Sequence, residues 1–217
     1  MVHLALQQIS VPPGQHVLLR DVSWQEFEAI LQELGDRRGS RVAYEKGVLE
    51  IWMPLPEHEF DKEIIGDLLK ALLEELDIEF LTLGSTTFKN KELSVGLEPD
   101  QCFYIQNEPR IRGKKRLDLA VDPPPDLALE IDITSRTHPT IYRALGVPEL
   151  WRFERGQLQI NILQNGEYVE VSDSPTFPDL PLNSILLQYL EESRTVGRNT
   201  VMKAFRRWVR ESIKSDG

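Results

Sequence analysis

Apolar residues recur along this chain with two periods, and the switch between them marks out its elements. Between residues 57 and 76, Ile64, Ile65, Leu68, Leu69, Leu72, Leu73 and Leu76 fall at the i, i+4 spacing of a helix facing a core. Glu57, His58, Glu59 and Asp61 open that helix, with acids where its dipole favours negative charge. Upstream, Ser23 with Glu26 three positions on forms a capping box, predicting a helix to Leu34 that stops at Gly35. Residues 41–45 and 48–52 flank Lys46-Gly47 and read as a hairpin, ended by Pro54 and Pro56. Strands are predicted at 79–83, 87–89, 100–105 and 126–133. A meander follows at 149–153, 157–162 and 168–171, turning at Arg155-Gly156 and Asn165-Gly166. A short helix over 140–145 meets its C-cap at Gly146. Two helices close the chain, at 182–190 and 200–212. In the second, Val201, Phe205, Trp208 and Val209 lie opposite the basic residues, as core or as an interface. The stretch 106–125, with Gly113 and terminal prolines, predicts a long surface loop or flap.

These elements predict an α/β (α+β) protein with one mixed central β-sheet flanked by helices. They fit a single domain over 1–217: an N-terminal helix and hairpin (20–54), a core (57–171) and C-terminal helices (182–214). A chain of 217 residues, 41% hydrophobic and 28% charged, has the length and composition for one sizeable core. No apolar run approaches the ~20 residues that span a bilayer. The first residues show no basic stretch followed by an apolar one, so a cytoplasmic protein without a membrane partner is expected. The single cysteine, Cys102, excludes an internal disulfide framework and a cysteine-based metal knuckle. His3, His16, His58 and His138 have no paired spacing of the zinc-hydrolase kind. A net charge of −10 argues against generic polyanion binding, but the average hides local contrast. From Arg110 to Arg116 the chain reads RIRGKKR, and the tail carries Lys203, Arg206, Arg207, Arg210 and Lys214. Arg110, Arg112, Lys114, Lys115, Arg206, Arg207 and Arg210 are therefore candidates for gripping phosphates, against the plainer reading of solvated faces.

The candidate chemistry lies in a strand that is apolar except for its acids. In Asp126-Leu127-Ala128-Leu129-Glu130-Ile131-Asp132-Ile133, alternation puts Glu130 and Asp132 on one face and Leu129, Ile131 and Ile133 on the other. Neighbouring like charges on a buried strand are costly unless a cation or a cationic side chain neutralises them. Asp100, after Pro99, sits in a similar setting. Carboxylates gathered at one end of a sheet point to a divalent-metal site; pairing with arginine is the alternative. His58, beside a proline turn, reads as a hydrogen-bonding anchor rather than a ligand.

Pro99-Asp100, the segment PPDLALEIDITS over 124–135, and IYRALGVPELWR over 141–152 together resemble the Uma2 family, which is assigned to the PD-(D/E)XK, restriction-endonuclease-like superfamily. The resemblance runs roughly from Ser23 to Val171. It implies a nuclease core in which Asp100 and Glu130 bind Mg²⁺ or Mn²⁺, with a further acid from the first core helix, Glu59 before Glu63. In that superfamily a lysine two positions after the strand acid orients the attacking water; here that position is Asp132. The matching basic place in the following helix is His138, with Arg136 and Arg143 as other sources of positive charge. Asp132 either joins the metal ligands or neutralises Arg136 or Arg143. The implied activity is metal-dependent endonucleolytic cleavage of DNA, with Asp100, Glu130, Asp132 and His138 catalytic and Asp100, Glu130 and Glu59 on the metal. The alternative is a nuclease fold without turnover, kept as a nucleic-acid-binding or protein-interaction module. The absent lysine and the acidic net charge favour it. Because nucleases of this superfamily often dimerise, a homodimer is a further expectation.

Overall fold

The computed structural model describes residues 8–35, 39–84, 86–132 and 138–215. In chain order the first elements are β1 (His16–Leu19), α1 (Trp24–Leu34), β2 (Arg41–Glu45), β3 (Val48–Trp52), α2 (Pro56–Glu75), β4 (Leu81–Thr82), β5 (Phe88–Asn90) and β6 (Val95–Leu97). There follow β7 (Gln101–Tyr104), α3 (Glu108–Ile111), β8 (Leu127–Ile131), α4 (Pro139–Leu145), β9 (Glu149–Glu154), β10 (Gln157–Gln164) and β11 (Glu167–Val171), then α5 (Leu182–Ser193) and α6 (Arg198–Ser215).

The strands form two sheets where the sequence predicts one. A five-stranded antiparallel sheet runs β1-β3-β2-β6-β5, and a six-stranded mixed sheet runs β11-β10-β9-β8-β7-β4, parallel only between β8 and β9. The predicted hairpin β2–β3 does not join the central sheet; β1 and β6 pair with its two edges. Both are too short to show a period of two, and β6 is interrupted by Gly96. That glycine has a packing reason: a Cβ there would lie 3.0 Å from the Phe27 ring, which stacks against Tyr44 and anchors α1 to this sheet. The Ser23 capping box on α1 forms as predicted.

β8 is buried along its whole length and serves two cores. Leu127, Leu129 and Ile131 pack with the α2 stripe (Ile65, Leu68, Leu69, Leu72) and with Leu186, Leu190 and Phe205 of the C-terminal helices. Ala128, on the opposite face, packs with Trp52 and Leu97 of the antiparallel sheet and Ile141 and Tyr142 of α4. The alternation expected of this strand is thus present, with Ile133 outside the described residues. Phe205 and Val209 of α6 are fully buried, so its apolar stripe is core. The predicted flap is held in place. Its start forms α3, Ile111 enters a cluster with Phe88 and Tyr104, and Asp126 accepts hydrogen bonds from the Ile105 and Asn107 amides (2.7 and 3.0 Å) and from Asn107 Nδ2 (2.7 Å). Among the described residues no helix is long and apolar enough to cross a membrane.

Candidate active site

Antiparallel pairing of β7 with β8, in the register Gln101 opposite Leu129, brings the residue before β7 beside the end of β8. Asp100 and Glu130 therefore meet at one buried place, 3% and 8% exposed. Asp100 Oδ2 accepts from the Ile131 amide at 2.9 Å and lies 2.9 Å from His58 Nε2. His58 is the third residue of α2, and its ring is buried. Tyr142 of α4 donates its hydroxyl to Glu130 Oε1.

The electrostatics follow from this packing. Burial pushes the Glu130 carboxyl well above its ordinary range. The charges of Asp100 and Asp132 add to the shift, and the Tyr142 hydroxyl only partly opposes it. Burial alone would lower the pKa of His58, but its hydrogen bonds and charge interactions with Asp100 and Glu59 outweigh burial and raise it to about 9. Contact with His58 holds Glu59 down to about 2 against partial burial, helped by Lys62 and Arg41. The site thus pairs an imidazolium with Asp100 at neutral pH, and burial biases Glu130 toward its protonated form when no cation is present.

The other predicted residues fall in different places. Glu59 is half-exposed and contacts Lys62; its Oε1 lies 3.4 Å from His58 Nδ1 and 4.0 Å from Arg41 Nη2. The imidazole thus stands between Glu59 and Asp100. Asp132 is paired with Arg152 of β9, at 2.6 Å to Nη2 and 3.1 Å to Nε. Its partner is neither of the predicted arginines: Arg143 bonds Glu167, and Arg136 lies outside the described residues. Parallel pairing sets Arg152 opposite Glu130 and within reach of Asp132, a neighbour that periodicity cannot reveal. His138 sits at the start of α4, one turn before Tyr142, with Nε2 2.9 Å from Glu50 Oε2 of β3. Cys102 is wholly buried with its thiol pushed up to about 12, an inert neighbour.

Most of the predicted phosphate-gripping cations have internal partners. Arg112 bonds Glu108 through two nitrogens, and Lys114 bonds Asp122. Arg206 bonds Glu74 and Glu75, and Arg210 bonds Glu75. Arg110, Lys115 and Arg207 are exposed. The residues missed from sequence are Arg152, Arg41 and Lys62. Lys62 is buried four positions after His58, a helical spacing that puts both on one face.

Among the described residues, no group of three or more histidine, cysteine, aspartate or glutamate side chains is disposed to hold a metal ion. The Asp100–Glu130 pair still fits a hard divalent cation. The His58 and Ile131 donors both meet Asp100 at Oδ2, and Glu130, hydrogen-bonded to Asp100 when protonated, is a buried acid whose charged form a cation would stabilise. Mg²⁺ commonly takes one or two carboxylates and completes its shell with water and phosphate oxygens.

This architecture, with acids at the β7–β8 junction and α2 packed behind them, is a restriction-endonuclease-like fold. It is similar to a crystal structure from Anabaena variabilis ATCC 29413, described as "a putative nuclease belonging to DUF820", at a TM-score of 0.53 and 16% identity, covering 76% of this chain and 97% of that one. Residues 24–191 match the model of the Uma2 family, described as "Putative restriction endonuclease", and the chain belongs to that family. No curated protein matches it.

Proposed function

We propose that the protein hydrolyses phosphodiester bonds in DNA, using Mg²⁺ or Mn²⁺ held by Asp100 and Glu130. One observation carries this reading: two buried carboxyl groups brought together where the start of β7 meets the end of β8, one of them biased by burial toward its neutral form. The cation, when bound, would lower the pKa of a water and offset charge building on the phosphate. The chain's own residues prepare the place. The Ile131 amide and His58 fix the Asp100 carboxylate through one oxygen, and Tyr142 fixes Glu130. The lysine of the superfamily has no counterpart at Asp132, whose charge is taken by Arg152. His58, buried with one ring nitrogen on Asp100 and the other facing Glu59, positions the Asp100 carboxylate rather than touching the phosphate. His138 is turned toward Glu50 instead. Glu59 then acts as a charge partner of His58 and Lys62.

Calorimetry of Mg²⁺ and Mn²⁺ binding, with nicking of supercoiled plasmid by the same preparations, tests this. Wild type should bind and nick, and Asp100→Asn and Glu130→Gln should do neither. Nicking retained in both variants would remove the assignment. A second reading, a DNA-binding member without turnover, is favoured by the Asp132–Arg152 pair at the lysine position; metal binding without nicking would select it.

A further inference from the structure

A polar cleft of about 780 Å³ lies between α1, the antiparallel sheet and residues 115–117, and Arg41 on its wall reaches toward Glu59. In a chain of net charge −10, its lining is cationic: Arg41, Lys89, Lys115 and Arg116 against Glu28 and Glu98. Lys89 is satisfied by both Glu28 oxygens at 2.7 Å, and the buried Glu98 accepts from Thr87 Oγ1 at 2.6 Å. Lys115 and Arg116 have no ion-pair partner among the described residues. Arg41 is the more telling group. Its side chain is 11% exposed, its Nε is buried without a hydrogen-bond acceptor, and its Nη2 lies 4.0 Å from Glu59. A buried guanidinium N–H without an acceptor is costly, and a phosphate oxygen is the acceptor its planar fork matches best. The cleft is also joined to the acid pair. Glu98 on its wall precedes Asp100 by two residues, and Arg41, Glu59, His58 and Asp100 follow one another in contact.

We infer that this cleft receives the sugar–phosphate backbone of the DNA strand, with Lys115 and Arg116 gripping it and Arg41 positioning the phosphate nearest the acids. The inference rests on the nuclease reading for its substrate. It moves the binding surface away from Arg206 and Arg210 and keeps Lys115 and Arg116 of the basic segment.

The test is fluorescence anisotropy with the full chain in EDTA, using short fluorescein-labelled single-stranded and duplex DNA from roughly 50 to 200 mM salt. Lys115→Gln/Arg116→Gln, exposed and harmless to folding, should weaken binding at least about tenfold and flatten the slope of log affinity against log salt by about 1.4–1.8. Arg41→Gln should weaken binding by a similar factor, and Arg207→Gln, outside the cleft, by less than about twofold. Cleft variants that bind like wild type, or a wild type that binds neither probe, would overturn the inference. The two readings separate cleanly. Nicking that survives the cleft substitutions with unchanged affinity removes the cleft and keeps the acid pair. Cleft-dependent binding by a protein that does not nick keeps the cleft and removes the nuclease.

Discussion

At the residue scale the decisive feature is Glu130, a carboxyl group the fold prefers neutral. Its pKa is raised in the native state, so the metal-free protein binds a proton that the unfolded chain gives up near the ordinary carboxylate value. Stability from this group is present at low pH and is lost as pH rises above about 4.5. Glu130→Gln should therefore raise the unfolding midpoint of the metal-free protein at pH 7–8 and leave it nearly unchanged at about pH 4, while abolishing metal binding. A midpoint lowered at both pH values would contradict the account. His58 has the same sign in a different window. With its pKa raised to about 9, its contribution is full below about 6.5 and lost as pH rises through 9, on the order of 3 kcal/mol. In the metal-free protein, denaturant titrations at pH 6 and pH 10 should differ in that direction, and His58→Gln should shrink the difference. Tyr142→Phe removes the donor to Glu130. About 1 kcal/mol of stability should go with it, and metal affinity should fall by roughly 10–100-fold in calorimetry.

Elements were legible in the sequence wherever a local rule determined them. The Ser23–Glu26 capping box, the α2 leucine stripe, the αL glycine at Gly146 and the turns at Lys46-Gly47 and Asn165-Gly166 each need only near neighbours. Pairing between distant strands was not legible. β1 and β6 are four and three residues long, and only their long-range partners make them strands, so the second sheet escaped. The same limit acted within the site. Asp100, Glu130 and the face shared with Asp132 could be read from alternation, but the Arg152 partner depends on parallel register, and Arg41 on how the two sheets meet. Gly96 records that meeting. Gly96→Ala would press a methyl group to 3.0 Å from Phe27 and 3.2 Å from Lys89 Cβ, so the Phe27 ring would have to shift by a few tenths of an ångström against its Tyr44 stack. We expect a loss of about 1–3 kcal/mol in chemical denaturation, and Phe27→Leu in the same chain should recover part of it by opening room for the methyl group.

Across the whole molecule, a cluster of basic residues in sequence need not be a charged surface once folded. The acids of α2 hold the arginines of the C-terminal helices: Asp61 with Arg194, Asp67 with Arg198, Glu74 and Glu75 with Arg206, and Glu75 with Arg210. Each pair cancels locally, so much of the positive charge of this segment is offset on the folded surface, Arg207 being left exposed. The cleft differs because, among the described residues, Lys115 and Arg116 lack such ion-pair partners and Arg41 is buried with one carboxylate, that of Glu59, at 4.0 Å. Charge balance, rather than charge count, should therefore decide where DNA lies. Replacing Arg206 and Arg210 together with glutamine should leave affinity and salt slope near wild type in the anisotropy assay. It should lower the thermal midpoint only slightly, and that small loss should vanish at high salt, since exposed pairs are weak and screened. If those two substitutions instead reduced the salt slope as much as Lys115→Gln/Arg116→Gln, the α6 face would share the DNA, and its pairs with α2 would have to open on binding.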